Sequence, residues 1–149
     1  MRMRCRERGS YVSSSVRPAR MRGAAMTLHV YAARPKATYC TKYGDNAVAC
    51  VRKQYNTHEV LDSATLFGSH EDWERQWPGI VETLDDFVLI PNPDGTIGQG
   101  CFDEYQAVLA LGIPTRLLVN ERKFVDRFYV RRLDGGLSKI RFARVVARS

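Results

Sequence analysis

The chain has little of what marks several large protein classes. No segment is long and apolar enough to span a membrane, and the first 25 residues lack the apolar stretch of a secretory signal. Its four cysteines, Cys5, Cys40, Cys50 and Cys101, form no Cys-x-x-Cys pair, and His29, His58 and His70 show no ligand spacing. That argues against a zinc site and against a disulfide framework. Free thiols, a cytoplasmic location, no metal and no organic cofactor are therefore expected. The glycines at 95, 98 and 100 run Gly-x-x-Gly-x-Gly, the reverse of the dinucleotide fingerprint and outside the first strand–helix turn, which excludes NAD binding by that route.

Negative charge is scarce at each end. Residues 1–25 hold seven Arg and one Glu, and residues 122–149 hold nine Lys/Arg and two Asp. The intervening residues, 26–121, carry thirteen Asp/Glu against seven Lys/Arg, so the overall +7 says little about a central site. A length of 149 residues suits one domain with one core. The expected organisation is a basic N-terminal arm over 1–25 and a single α/β domain over 26–149. The arm reads as disordered. Its Arg- and Ser-rich composition also fits a transit peptide, and Met26, directly before the first strand-like run, fits an internal start.

Hydrophobic periodicity predicts strands at Leu28–Ala33, His58–Leu61, Phe87–Ile90 and Thr115–Val119, and helices over 45–55, 70–76 and 101–111. Pro78 is expected in the first turn of a separate helix running to Leu84. Strands alternating with helices imply a small, mostly parallel sheet, Rossmann-like or flavodoxin-like, with helices on both faces. Phe128–Leu133 and Leu137–Val146, separated by Asp134-Gly135-Gly136, predict a C-terminal β-hairpin spanning about 126–147. Its basic residues could contact phosphates, but a solvated face or edge protection is the commoner use of such charges.

The most informative stretch is Asp86–Pro114. The apolar run Phe87–Ile90 meets the glycine-rich turn, and a helical pattern with Asp103 and Glu104 near its start ends at Gly112. In open α/β sheets, ligands bind beside the carboxyl ends of strands, where such loops sit. Glu104 is thus expected beside a small ligand, its ionised form favoured by the helix N-terminus by about 0.3–1 kcal/mol. Cys101 reads as a small buried residue.

The run Asp-Gly-Thr…Asp-Glu-Tyr-Gln-Ala-Val-Leu-Ala-Leu-Gly-Ile-Pro resembles the nucleoside 2-deoxyribosyltransferase family and its hydrolase relatives, in which a Glu opens a helix ending in an Ala-Leu-Gly-Lys-Pro-like segment. Glu104, eight residues before Gly112, matches the spacing of the family nucleophile. Val30-Tyr31-Ala32-Ala33 is similar to the opening strand, whose Tyr lies near that nucleophile, and Asp86 is another match. Two features depart from the pattern. Asp94 stands ten residues before Glu104, where the family places an acid about six before, and the first strand leads into Arg34-Pro35 in place of a glycine-containing loop.

The resemblance implies cleavage or transfer at the N-glycosidic bond of a nucleoside or nucleotide, with a homo-oligomer as the assembly. Glu104 is the implied nucleophile, attacking the anomeric carbon to form a glycosyl-enzyme. Asp94, with Asp103 as the second candidate, is the acid that protonates the departing base, and Tyr31 orients the carboxylate. Asp86, Gly95, Thr96, Gly98 and Gly100 are the substrate-binding candidates. Each residue also has a plain structural reading: a first-turn Glu as a cap, Asp94-Gly95 as a turn pair, Tyr31 as packing. Trp73 and Trp77, four apart, read as packing before base stacking. Two other functions stay open. One is a non-catalytic nucleotide-binding or sensing module of the same fold, and the other is a nucleic-acid-associated protein that uses the basic termini.

Overall fold

The computed structural model describes residues 27–142. The basic arm expected over 1–25 and the end of the expected hairpin, 143–147, lie outside the described residues.

Five strands form the main sheet: β1 (Leu28–Ala33), β2 (His58–Asp62), β3 (Asp86–Leu89), β5 (Thr115–Val119) and β6 (Lys123–Val125), in the order β2-β1-β3-β5-β6. The first four are parallel, and β6 closes the edge antiparallel to β5. The fold is α/β with a mostly parallel sheet. Alternation along the strands sorts the core. Val30, Ala32, Val88, Ile90 and Leu118 pack with Ala47, Val48 and Val51 of helix α1 (Lys42–Gln54). Tyr31, Ala33, Phe87, Leu89 and Leu117 meet the helices that follow β2 and β3. A period of two sends successive side chains to opposite faces, and both faces are apolar, as a covered parallel sheet requires.

α1 is opened by Thr41, whose side chain accepts from the Gly44 amide at 3.0 Å. After β2 comes a single turn, α2 (Ser63–Leu66), capped by Asp62. Helix α3 (His70–Val81) is capped by Ser69. Pro78 was expected to start a second helix, but it lies inside α3. An interior Pro costs about 3 kcal/mol or more. Here Trp77 and Val81 flank it and both bury against the sheet, and burial of such side chains, about 1.5–3 kcal/mol each, offsets that cost.

Helix α4 (Gln99–Ala110) begins two residues before the expected start. Its buried stripe is Cys101, Glu104, Tyr105 and Val108, the spacing of one helical face. It ends where Gly112 turns to φ 71° and the Ile113 amide donates back to the Val108 carbonyl at 3.0 Å. The expected hairpin is present as β7 (Tyr129–Arg132) and β8 (Ser138–Arg141). β8 also pairs with β4 (Thr96–Ile97), which the sequence did not suggest, to make a separate three-stranded sheet in the order β4-β8-β7.

Cys50 and Cys101 are free thiols, whereas Cys40 is disulfide-bonded, against the expectation of free thiols throughout. Among the described residues no helix is long and apolar enough to cross a membrane, and no cluster of three or more His, Cys, Asp or Glu could hold a metal ion.

Candidate active site

The loops leaving the carboxyl ends of β1, β2 and β3 surround a cavity of about 640 Å³. It sits where β1 leads outward to β2 and the chain then returns to β3 on the other side of β1, the kind of reversal at which open α/β sheets bind ligands. Its walls include Tyr39, Phe67, His70 and Trp73, together with Gly98 and, from the start of α4, Gln99, Gly100, Cys101, Asp103 and Glu104.

Glu104 lines this cavity at 4% exposure. Two donors hold the same carboxylate oxygen, Oε2. The Tyr31 hydroxyl donates at 2.5 Å and the Trp73 indole N–H at 2.7 Å. Among the described residues no donor reaches Oε1. Tyr31 is fully buried between Trp77 and Phe87, with ring centroids 4.8 and 5.7 Å away, so its hydroxyl has little freedom to leave Glu104. Burial raises the Glu104 carboxyl to about 7, against the lowering effect of the Tyr31 and Trp73 hydrogen bonds. The expected help from the helix N-terminus does not prevail. Because α4 starts at Gln99, Glu104 sits in the second turn, beyond the reach of most of that effect. Burial beside Glu104 also raises the Tyr31 phenol, which stays a proton donor at any ordinary pH.

The other expected residues divide. Asp103, Gly98 and Gly100 line the cavity with Glu104. Asp103 accepts from the Gln99 amide at 2.8 Å. A Cβ at Gly98 or Gly100 would meet only open space, so the backbone there is bare toward the cavity. The structure does not bring Asp94, Gly95, Thr96 or Asp86 to it. Asp94 is exposed, and its Oδ1 accepts from the hydroxyl and amide of Thr96 at 2.6 and 3.0 Å. Those bonds hold its carboxyl below the usual value, the wrong direction for an acid. Gly95 serves the same turn, with φ 84°. Thr96 begins β4, and Asp86 sits at the opposite, amino end of β3, where its Oδ2 is 3.1 Å from His58 Nε2. β4 (Thr96–Ile97) lies between Asp94 and Glu104 along the chain.

Three cavity residues were not assigned a role from the sequence. Arg34 is 4% exposed and ion-paired with Asp62 (Nε to Oδ1, 3.2 Å) and Asp45 (Nη2 to Oδ1, 3.7 Å), while its Nε and Nη1 make no hydrogen bond among the described residues. Its position directly after a strand, where a loop should be polar and exposed, was the available signal. Trp73 was read as packing, and its bond to Glu104 spans 31 positions that no local pattern links. His70 stacks on Trp73 with centroids 5.5 Å apart at the cavity mouth.

Comparison of the chain with protein-family models, curated proteins and solved structures finds no match.

Proposed function

We propose that this chain cleaves or transfers at the N-glycosidic bond of a nucleoside or nucleotide, with Glu104 as the nucleophile. The observation that supports it most is the Glu104 carboxylate, buried in a cavity large enough for a sugar, with Oε2 held by Tyr31 and Trp73 and Oε1 unclaimed. The strand order β2-β1-β3-β5, with core side chains on both faces of the sheet, supports a flavodoxin-like reading of the fold.

In this reading a lone pair of Oε1 forms a bond to the anomeric carbon as the carbon–nitrogen bond breaks. The electrons of that bond go to the base, which takes a proton from a nearby acid. Asp103 replaces Asp94 as that acid, since it shares the cavity and Asp94 does not. Water or a second base then attacks the same carbon and gives up its proton to the Asp103 carboxylate, and the Glu104 carboxylate leaves, restoring the enzyme. Tyr31 and Trp73 hold one oxygen still and stabilise its negative charge, so that the other oxygen faces the sugar. His70, stacked on Trp73, offers a ring face to a base.

The displacement of Asp94 from the cavity favours a second reading, a binding module in which Glu104 accepts hydrogen bonds from a ribose without reacting. Incubation with a panel of nucleosides and nucleoside monophosphates, followed by chromatography for free base, separates the two. Base release that disappears in Glu104→Ala is the expected result. Binding detected by calorimetry with no base released from any member of the panel would replace the enzyme with the sensor.

A further inference from the structure

The three-stranded sheet has one face on the core and one in solvent. Ile97, Ser138 and Ile140 are buried on the inner face, with Val130 beside them. Residues directly opposite one another in a sheet share a face, so the pairs Thr96–Lys139, Arg131–Lys139 and Tyr129–Arg141 define the outer one. That surface carries three cations and an aromatic ring. Tyr129 is 63% exposed, the most exposed large hydrophobic residue among those described.

The cations are arranged at a cost. Arg131 lies directly across from Lys139, and like charges in that relation are destabilising. Protection of a sheet edge would explain a charge on the edge strand β7. It does not explain Lys139, which is on the central strand β8. Lys139 donates to the Asp94 carbonyl at 2.6 Å. Among the described residues, neither the Arg131 nor the Arg141 side chain makes a hydrogen bond or an ion pair, although both backbones pair in the β7–β8 ladder. The surrounding segment adds to the same sign, with nine Lys/Arg and two Asp over 122–149.

We propose that this face binds single-stranded nucleic acid, with Arg131, Arg141 and Lys139 on the phosphates and Tyr129 stacked on an unpaired base. Charge complementarity identifies the partner as a polyanion. The exposed ring among the cations selects a single strand, because a sheet surface with free aromatic rings is a platform for bases that are not already stacked in a duplex. The site is independent of the Glu104 cavity.

The test is fluorescence anisotropy of a labelled single-stranded oligonucleotide titrated with the full chain at several salt concentrations. Arg131→Gln/Arg141→Gln is expected to weaken binding about tenfold and to make the salt dependence shallower by about 1.4 in log–log slope. Tyr129→Ala is expected to weaken it roughly five- to hundredfold. The control Arg52→Gln/Lys53→Gln, two exposed cations of α1, should leave affinity within about twofold, with far-UV circular dichroism unchanged in all variants. Absence of binding by the wild type, an equal loss in the α1 control, an unaffected Tyr129→Ala, or tighter binding to duplex of the same sequence would each overturn the proposal.

Discussion

The Tyr31 hydroxyl donates to Glu104 Oε2 across 73 positions of sequence, from the centre of β1 to the second turn of α4. Tyr31 is fixed by its packing between Trp77 and Phe87, so its hydroxyl is held on the carboxylate. A carboxyl at about 7 in a sheltered cavity is stabilised in its charged form only by Tyr31 and Trp73. Perturbed acids of this kind gather at functional sites.

The ionisation of Glu104 should therefore give activity a limb that rises with pH through about 7, because the nucleophile must lose its proton first. The pH profile of kcat/KM checks this. A profile that falls through about 7 and is unchanged by Asp103→Asn would instead assign Glu104 the role of proton donor.

Tyr31→Phe removes a bond that favours the ionised carboxylate. The pH limb should move upward and kcat/KM should fall roughly ten- to hundredfold, as for loss of a hydrogen bond to a charged group. Trp73→Phe should act in the same direction. Because both donors hold one oxygen, the double variant is expected to depart from additivity, which a double-mutant cycle on kcat/KM measures.

Stability should carry the opposite sign. Glu104 titrates near its ordinary 4.5 when unfolded and near 7 when folded, so between those values the native state binds more protons. Wild-type stability is fully present below about pH 4.5 and declines toward pH 7, by on the order of 3 kcal/mol. Glu104→Gln lacks that penalty. It should equal the wild type near pH 4.5 and exceed it by roughly 1–3 kcal/mol at pH 8, the trade of stability for activity seen at functional sites. Urea midpoints at the two pH values decide the sign.

The loop after β1 offers a packing test. A Cβ at Gly44 would lie 2.2 Å from the Thr38 carbonyl oxygen and 2.6 Å from Arg34 Nη1, whereas one at Gly79 on α3 would touch nothing. Gly44→Ala should destabilise by on the order of 2 kcal/mol or more through overpacking. Gly79→Ala, on an exposed helical position, should stabilise by about 0.5–1 kcal/mol. Thermal unfolding of both variants measures the contrast.

Legibility from sequence followed the range of the interactions. β1 and β5 were readable residue for residue because a buried strand writes its own apolar run. The short β4 was not, since two residues hold no period and Thr96–Ile97 becomes a strand only by pairing with Ser138–Lys139. Asp94 and Gly95 stand in the turn before that strand and do not line the cavity, and nothing local in the sequence signals the long-range pairing beside them. Glu104 was singled out by its spacing to Gly112, through the family resemblance, and a second signal stands in the stripe Cys101, Glu104, Tyr105, Val108, where a carboxyl group occupies an apolar face. Its raised pKa was not legible, because desolvation depends on what the rest of the fold places around it.

The most direct measurement is of the bond Glu104 is held to form. Rapid acid quench of the wild type with a nucleoside or nucleoside monophosphate that releases its base, followed by proteolysis and mass spectrometry, should find a glycosyl adduct on Glu104 that is absent in Glu104→Gln. Base release at the wild-type rate by Glu104→Gln, with no adduct at that position, would contradict the assignment.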